Sequence, residues 1–194
     1  MRRKCLDKPD WDKRYREGFY SGAVDPHQLV QDFWHLLPTK GNLIDIATGT
    51  GRDLLFLASR GFRVCGLDLS WEALKLARGL FERNGLYLEA VQADALSLPL
   101  KPGSFDGVLI FYFLERQIMS ELSSLLKPGG ILFYETFLKR QNEIDRPRNP
   151  AFLLDDEELP GYFGGLEPLF HEEGIFTIDG KERAVARYIG RKKQ

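Results

Sequence analysis

The sequence predicts a doubly wound α/β domain whose sheet is mostly parallel and ends in an antiparallel hairpin. Three observations carry that expectation. From residue 42 to residue 137 short apolar runs alternate with amphipathic helical stretches, as in parallel strands joined by crossover helices. Glycines and helix caps punctuate the junctions. Near the end, the alternation gives way to two strand-like stretches meeting at Asp179-Gly180, a dipeptide that favours a tight hairpin turn.

The elements follow in order. Asn42 to Ala47 (NLIDIA) comes after a Pro-Thr-Lys-Gly break and reads as a buried parallel strand. A glycine turn leads into a helix over Arg52 to Arg60 that stops at Gly61, and Phe62 to Leu67 (FRVCGL) is the second strand. Ser70 is placed to cap the next helix, whose Trp71, Leu74, Ala77 and Phe81 share one face. Asn84-Gly85 ends it with a left-handed cap. Leu86 to Ala93 is the third strand and Phe105 to Phe113 the fourth. Ile118, Leu122, Leu125 and Leu126 recur at helical spacing within Glu115 to Leu126. Lys127-Pro128-Gly129-Gly130 breaks that helix, and Ile131 to Phe137 is the fifth strand. Leu166 to Ile178 and Lys181 to Ile189 complete a Rossmann-like sheet of seven strands, mostly parallel with a C-terminal antiparallel hairpin.

Composition narrows the function. A chain of 194 residues with 43% hydrophobic residues fits one domain with a substantial core. No apolar run approaches the roughly 20 residues that span a bilayer, and the charged start lacks the apolar stretch of a signal peptide. Two cysteines, Cys5 and Cys65, are too few for a disulfide framework or a four-ligand metal site. A cytoplasmic protein without a metal is expected. A net charge of −1 argues against a nucleic-acid partner. The basic residues at the two ends (Arg2, Arg3, Lys4 and Lys8; Arg191, Lys192 and Lys193) read as solvated termini.

In open α/β sheets ligands lie beyond the carboxyl ends of the strands. After the first strand comes Ala47-Thr48-Gly49-Thr50-Gly51, where glycine lets the backbone turn tightly and approach a ligand. Asp68 ends the second strand, where a carboxylate can accept bonds from the two hydroxyls of a ribose. Asp94-Ala95 follows the third, able to present a carboxylate and an N–H to an adenine edge. Each alone is a weak signal: a turn, a helix cap, another cap. At three successive strand ends they point to a nucleoside-containing cofactor.

Five segments together resemble the class I S-adenosylmethionine-dependent methyltransferases: Leu43 to Arg52 (LIDIATGTGR), Val64 to Ser70 (VCGLDLS), Val91 to Ala95 (VQADA), Ser104 to Phe113 (SFDGVLIFYF) and Leu126 to Phe133 (LKPGGILF). The terminal hairpin suits that family's last two strands. One residue departs from the pattern: Ala47 stands where the first motif usually has glycine. The resemblance implies that Asp45, Ala47, Gly49 and Gly51 hold the methionine part of S-adenosylmethionine. By the same resemblance Asp68 binds the ribose, Leu69 packs on the adenine, Asp94 and Ala95 read its edge, and Phe111 lines the cofactor.

Trp11 to Tyr15 (WDKRY) and Arg146 to Leu154 (RPRNPAFLL) further resemble segments of the tellurite-resistance and thiopurine-type small-molecule methyltransferases. That likeness divides the single domain, 1–194, into an N-terminal lid and helices (1–40), a cofactor-binding core (42–138), an acceptor-covering insertion (139–165) and the hairpin (166–190). Trp11, Tyr15, Phe19 and Tyr20 would form the lid, or else an amphipathic helix packed on the sheet. Tyr15, Tyr20, Glu135, Arg146 and Arg148 are the candidate acceptor contacts.

The expected activity is methyl transfer to a small molecule (a thiol, hydroxyl or metalloid oxyanion), by a monomer or homodimer with no membrane partner. No catalytic residue is assigned. His27, His35 and His171 are the only histidines, and Glu135 and Thr136 lie towards the carboxyl end of the fifth strand. RNA or protein methylation and a non-catalytic S-adenosylmethionine-binding role remain as alternatives. The dinucleotide pattern G-x-G-x-x-G fails at Leu54, which argues against a nicotinamide enzyme.

Overall fold

The computed structural model describes residues 10–20, 25–145 and 149–194. Seven strands form one sheet: β1 (Asn42–Ile46), β2 (Arg63–Asp68), β3 (Glu89–Gln92), β4 (Phe105–Phe111), β5 (Leu126–Phe137), β6 (Leu166–Ile178) and β7 (Lys181–Lys192). Their order is β3-β2-β1-β4-β5-β7-β6. The first five are parallel, and β7 runs antiparallel between β5 and β6. The helices are α1 (Trp11–Arg16), α2 (Gln28–Phe33), α3 (Arg52–Ala58), α4 (Trp71–Arg83), α5 (Met119–Leu125), α6 (Gln141–Ile144) and α7 (Glu158–Gly161). None is long and apolar enough to cross a membrane.

The central strands are apolar throughout because both faces are covered. On one face Ile44, Ile110, Leu132 and Tyr134 pack with Leu122 and Leu125 of α5. On the other, Leu43, Leu109 and Phe133 pack with Leu29 and Val30 of α2, Leu54 and Leu57 of α3, and Phe81 of α4. The packing is close at Gly107 in β4. A Cβ there would meet the Leu37 and Leu43 methyl groups at 2.6 and 2.7 Å, well inside contact distance.

Several boundaries differ from the expected ones. β4 stops at Phe111 because Tyr112 takes a left-handed φ of 53°. β3 keeps only the residues that β2 can pair. The Lys127–Gly130 turn does not precede β5 but interrupts its ladder, which jumps from Phe105–Leu126 to Gly107–Ile131. In α4 the buried face is Ala73, Leu74, Ala77 and Phe81, whereas Trp71 is 42% exposed with the Arg78 guanidinium 5.7 Å above its ring. At the hairpin tip Asp179 and Gly180 have φ of 52° and 72°, both in the region that a two-residue turn of matching twist needs.

Outside the core, α1 has no buried residue. It lies across the start of α4, where Asp12 Oδ1 accepts from the Ser70 hydroxyl at 2.6 Å and from Glu72 N at 3.1 Å. The segment between β5 and β6 is tied down by Arg116. Its guanidinium donates to both Glu158 oxygens (2.7 and 2.9 Å) and to the Ala151 and Leu153 carbonyls. Those bonds hold the Glu158 carboxyl down at about 2.

Candidate cofactor and acceptor site

Register aligns the carboxyl ends of the strands. Asp45 of β1 pairs with Leu109 of β4, which pairs with Phe133 of β5. One pleat further on, Phe111 pairs with Glu135, and Glu135 with Arg187 of β7.

Beyond β1 the chain turns through Ala47, Gly49 and Gly51, with φ of 61°, 57° and 76°. Thr48 N donates to Leu67 O, and the Thr48 hydroxyl donates to Asp45 Oδ2 at 2.8 Å. A Cβ on Gly49 would lie 2.9 Å from the Tyr15 hydroxyl, so α1 lays its tyrosine directly on the bare turn. Asp68 braces the turn from β2: Oδ2 accepts from Gly49 N at 2.9 Å and Oδ1 from Ser70 N at 2.8 Å. Each oxygen retains a lone pair beyond these bonds.

Asp45, Asp53 and Asp68 are all buried. Burial, then the charges of Asp53 and Asp68, push the Asp45 carboxyl well above the usual carboxylate range, against the Thr48 bond and Arg52. Burial likewise raises Asp68, and it raises the Tyr15 phenol with help from the Asp68 charge. Three buried carboxylates beside the turn favour a ligand group that carries positive charge. S-adenosylmethionine, with a sulfonium and an ammonium against one carboxylate, fits that balance.

At the ends of β2 and β3, Leu69 is 42% exposed and borders a cleft of about 200 Å³ with Asp10, Trp11, Asp12 and Ser70. Asp94 caps the single turn Ala95–Ser97, accepting from Leu96 N at 3.0 Å, and Ala95 is buried beneath it. A larger groove of about 790 Å³, lined among others by Asn42, Arg63, Tyr87 and Phe105, opens at the amino ends of the strands. Ligands of open α/β sheets do not bind at that end.

Around Phe111 and Glu135 the structure gathers residues to which the sequence assigned no role, among them His27, Asp53, Tyr112 and Arg187. Phe111 is buried, and His27 stacks on its ring at 4.1 Å and 5°. His27 Nδ1 lies 2.7 Å from Asp53 Oδ2, and Nε2 bonds the Arg52 guanidinium. Arginine only donates, so Nε2 accepts and Nδ1 carries the proton given to Asp53. Asp53 also accepts from His27 N at 2.7 Å. These bonds and the Arg52 charge outweigh burial and hold its carboxyl below the usual range. Arg52 reaches the hairpin tip at Asp179, 3.4 Å away. Tyr112 stacks on Phe137 at 4.7 Å, under the Arg183 guanidinium. Glu135, fully buried, is paired through Oε2 with Arg187 Nε at 2.9 Å.

Of the expected acceptor contacts, Tyr15 and Tyr20 pack together at 4.8 Å beside the glycine turn. Glu135 lies beyond Phe111. Arg146 and Arg148 fall outside the described residues. Phe19, expected in the lid, is 71% exposed. His171 belongs to the outer strand β6, facing Glu173 at 3.3 Å, and is not part of the site.

A methyltransferase-domain family model matches residues 43–130. A thiopurine S-methyltransferase of Bordetella parapertussis is 34% identical over 90% of this chain and 95% of its own length. The chain belongs to the class I S-adenosylmethionine-dependent methyltransferases. Within that family it also resembles the demethylmenaquinone methyltransferase of Thermus thermophilus, at 38% identity over 46% of this chain. It spans only 44% of that relative's length. Among solved structures, TehB from Haemophilus influenzae superposes with a TM-score of 0.74 at 19% identity, over 94% of this chain and 67% of that one. That likeness extends the shared fold to almost the whole methyltransferase chain.

The family's usual glycine at position 47 has a physical reason here, since Ala47 sits at φ 61°. A left-handed alanine costs roughly 1–2 kcal/mol, offset in part by the greater entropy that glycine loses on folding. Ala47→Gly is therefore expected to raise stability by about 0.5–1 kcal/mol in urea denaturation. A loss of stability would show that the alanine methyl has a packing role that outweighs its strain.

Proposed function

We propose that this chain transfers the methyl group of S-adenosylmethionine to a small-molecule acceptor: a thiol, a hydroxyl or a metalloid oxyanion. The likeness to a thiopurine S-methyltransferase along nearly the whole chain favours the thiol. The observation that carries the reading is the glycine turn set among three buried carboxylates, with a second polar cluster two strands away at the same level of the sheet. On this reading Asp45, Ala47, Gly49 and Gly51 hold the methionine part and Asp68 takes the ribose. Leu69, Asp94 and Ala95 take the adenine, and Phe111 walls the cofactor from the acceptor side. Tyr15 and Tyr20, within the lid of residues 1–40, close over the turn. The 139–165 insertion, pinned by Arg116, covers the acceptor.

When bound, the cofactor supplies a carbon made electrophilic by its sulfonium. The chain must then align the acceptor with that carbon in a dry pocket, and alignment of this kind contributes roughly 7–11 kcal/mol. Calorimetric titration with S-adenosylmethionine, its demethylated product and NAD tests the cofactor. Labelled methyl transfer to mercaptopurine, a hydroquinone and tellurite tests the acceptor. Micromolar binding of the first two ligands without NAD, followed by transfer, is expected. A protein that fails to bind S-adenosylmethionine overturns the reading.

The raised Asp45 carboxyl gives a pH signature. A cation favours the ionised form, so affinity for S-adenosylmethionine should rise with pH through the Asp45 titration and then level, by at most about tenfold per pH unit. The demethylated product lacks the sulfonium and should show a shallower rise. Stability of the unliganded protein should run the opposite way. A carboxyl raised by folding contributes stability that is present below its unfolded value and is lost as pH climbs to the folded one. Affinities that stay flat or fall with pH would remove Asp45 from the cofactor site.

A further inference from the structure

Glu135 and Tyr112 each hold a polar atom that the fold leaves without an ordinary hydrogen bond. Glu135 Oε1 and the Tyr112 hydroxyl are both fully buried, and neither has a hydrogen bond of ordinary geometry; the partner each has is the other, at long range. Buried polar groups are otherwise almost always paired, because an unpaired one forfeits its hydration without return. The two are near enough for the Glu135 charge to help burial raise the Tyr112 phenol, which therefore stays protonated. Tyr112 is held there in a left-handed backbone conformation, a strain that clusters at functional sites. The pair lies two strands from the glycine turn. Neighbouring strands are roughly 4.8 Å apart, so the backbone of Glu135 is about 10 Å from that of Ala47, enough for an acceptor to stand between cofactor and carboxylate.

We propose that Glu135 receives the proton of the methyl acceptor's nucleophile, with Tyr112 binding a polar atom beside it. This rests on the methyltransferase reading and restricts the acceptor to a neutral X–H group, such as a heteroaromatic thiol, next to a hydrogen-bond-accepting atom. The X lone pair forms the new bond to the methyl carbon, and the carbon–sulfur bond breaks with its electrons going to sulfur. The X–H bond's pair stays on X, and the proton passes to Glu135 Oε1. A weak base suffices, because X–H becomes strongly acidic as its lone pair is drawn into the new bond.

The groups facing Glu135 suit the role. Arg187, itself shared with Glu172 at 3.6 Å, fixes Oε2 and leaves Oε1 to the ligand. Arg183 lies over the Tyr112 ring at 5.2 Å and His27 beside it at 5.2 Å, with its Nε2 already bonded to Arg52. Glu135 is the buried carboxylate of this half of the site with an oxygen to offer.

Glu135→Gln and Tyr112→Phe test the assignment. Calorimetry with the demethylated cofactor should give affinities within threefold of the parent for both. Single-turnover transfer to mercaptopurine by Glu135→Gln should fall about 100-fold near pH 6, where the thiol is protonated, and recover to within threefold near pH 9, where it arrives as thiolate. Tyr112→Phe should weaken mercaptopurine binding without that pH signature. Independently of turnover, mercaptopurine bound to the product-loaded parent should keep the absorbance of its protonated form to about tenfold lower proton concentration than in Glu135→Gln. A loss in Glu135→Gln that is equal at both pH values, no loss at all, or identical absorbance titrations would overturn the proposal. So would methylation of tellurite, which brings no X–H, with none of mercaptopurine or hydroquinone. Failure of cofactor binding in the parent would instead overturn the methyltransferase reading beneath it.

Discussion

Replacing Asp68 by Ala is expected to weaken S-adenosylmethionine binding by about 2–3 kcal/mol, roughly 30- to 150-fold, through loss of charge-assisted hydrogen bonds. The structure adds a second effect. Gly49 N and Ser70 N both donate to this carboxylate, so alanine leaves two donors without their acceptor and loosens both the glycine turn and the start of α4. Asp68→Asn should recover little, because its amide nitrogen must face one of those two donors. Calorimetry measures the affinity, and urea denaturation should show a parallel stability loss of about 2 kcal/mol. An affinity within threefold of the parent would remove Asp68 from the ribose site. An unchanged stability would show that the turn is held without it.

Stability should suffer more from His27→Ala. The imidazole gives Asp53 a charge-assisted hydrogen bond inside the protein, worth about 1.5–3 kcal/mol. Its stacking on Phe111 adds about 0.5–1.5 kcal/mol. The backbone bond from residue 27 to Asp53 survives the change, so a total of about 2–4.5 kcal/mol is expected. For a chain of this size that lowers the melting temperature by roughly 4–18 °C. Asp53→Ala should cost about as much, and the double variant clearly less than the sum, because both remove one network. A His27→Ala loss below about 1 kcal/mol would mean that the N-terminal segment is not anchored through this bond.

The proposed cofactor residues could be named from the sequence because the features that suggest them are local. Ala47 to Gly51 must reverse direction within five residues and stay bare to a ligand, a demand that leaves glycines in the sequence. Asp68 and Asp94 lie at strand ends, which apolar runs mark. For the proposed acceptor half the sequence offered only Tyr15, Tyr20, Glu135, Arg146 and Arg148, and for Glu135 it gave no partner. Its partners come from the other side of β4 and from the last hairpin: Tyr112, Arg183 and Arg187 meet by register and crossover, and no spacing in the chain encodes that meeting. His27 carried no motif, since its partner Asp53 lies on another helix.

Periodicity, caps and turn residues by themselves determined the order of elements, the parallel core and the closing hairpin, because each depends on contacts within a few residues. The order in which the strands lie side by side came from the structure. Only the tertiary structure decided that Tyr15 covers Gly49, that Trp71 faces solvent, and that Tyr112 breaks β4 in a left-handed conformation. It alone left Glu135 with a buried oxygen short of an ordinary hydrogen bond. Such outcomes come from long-range packing, in which a side chain's surroundings are supplied by segments far away along the chain.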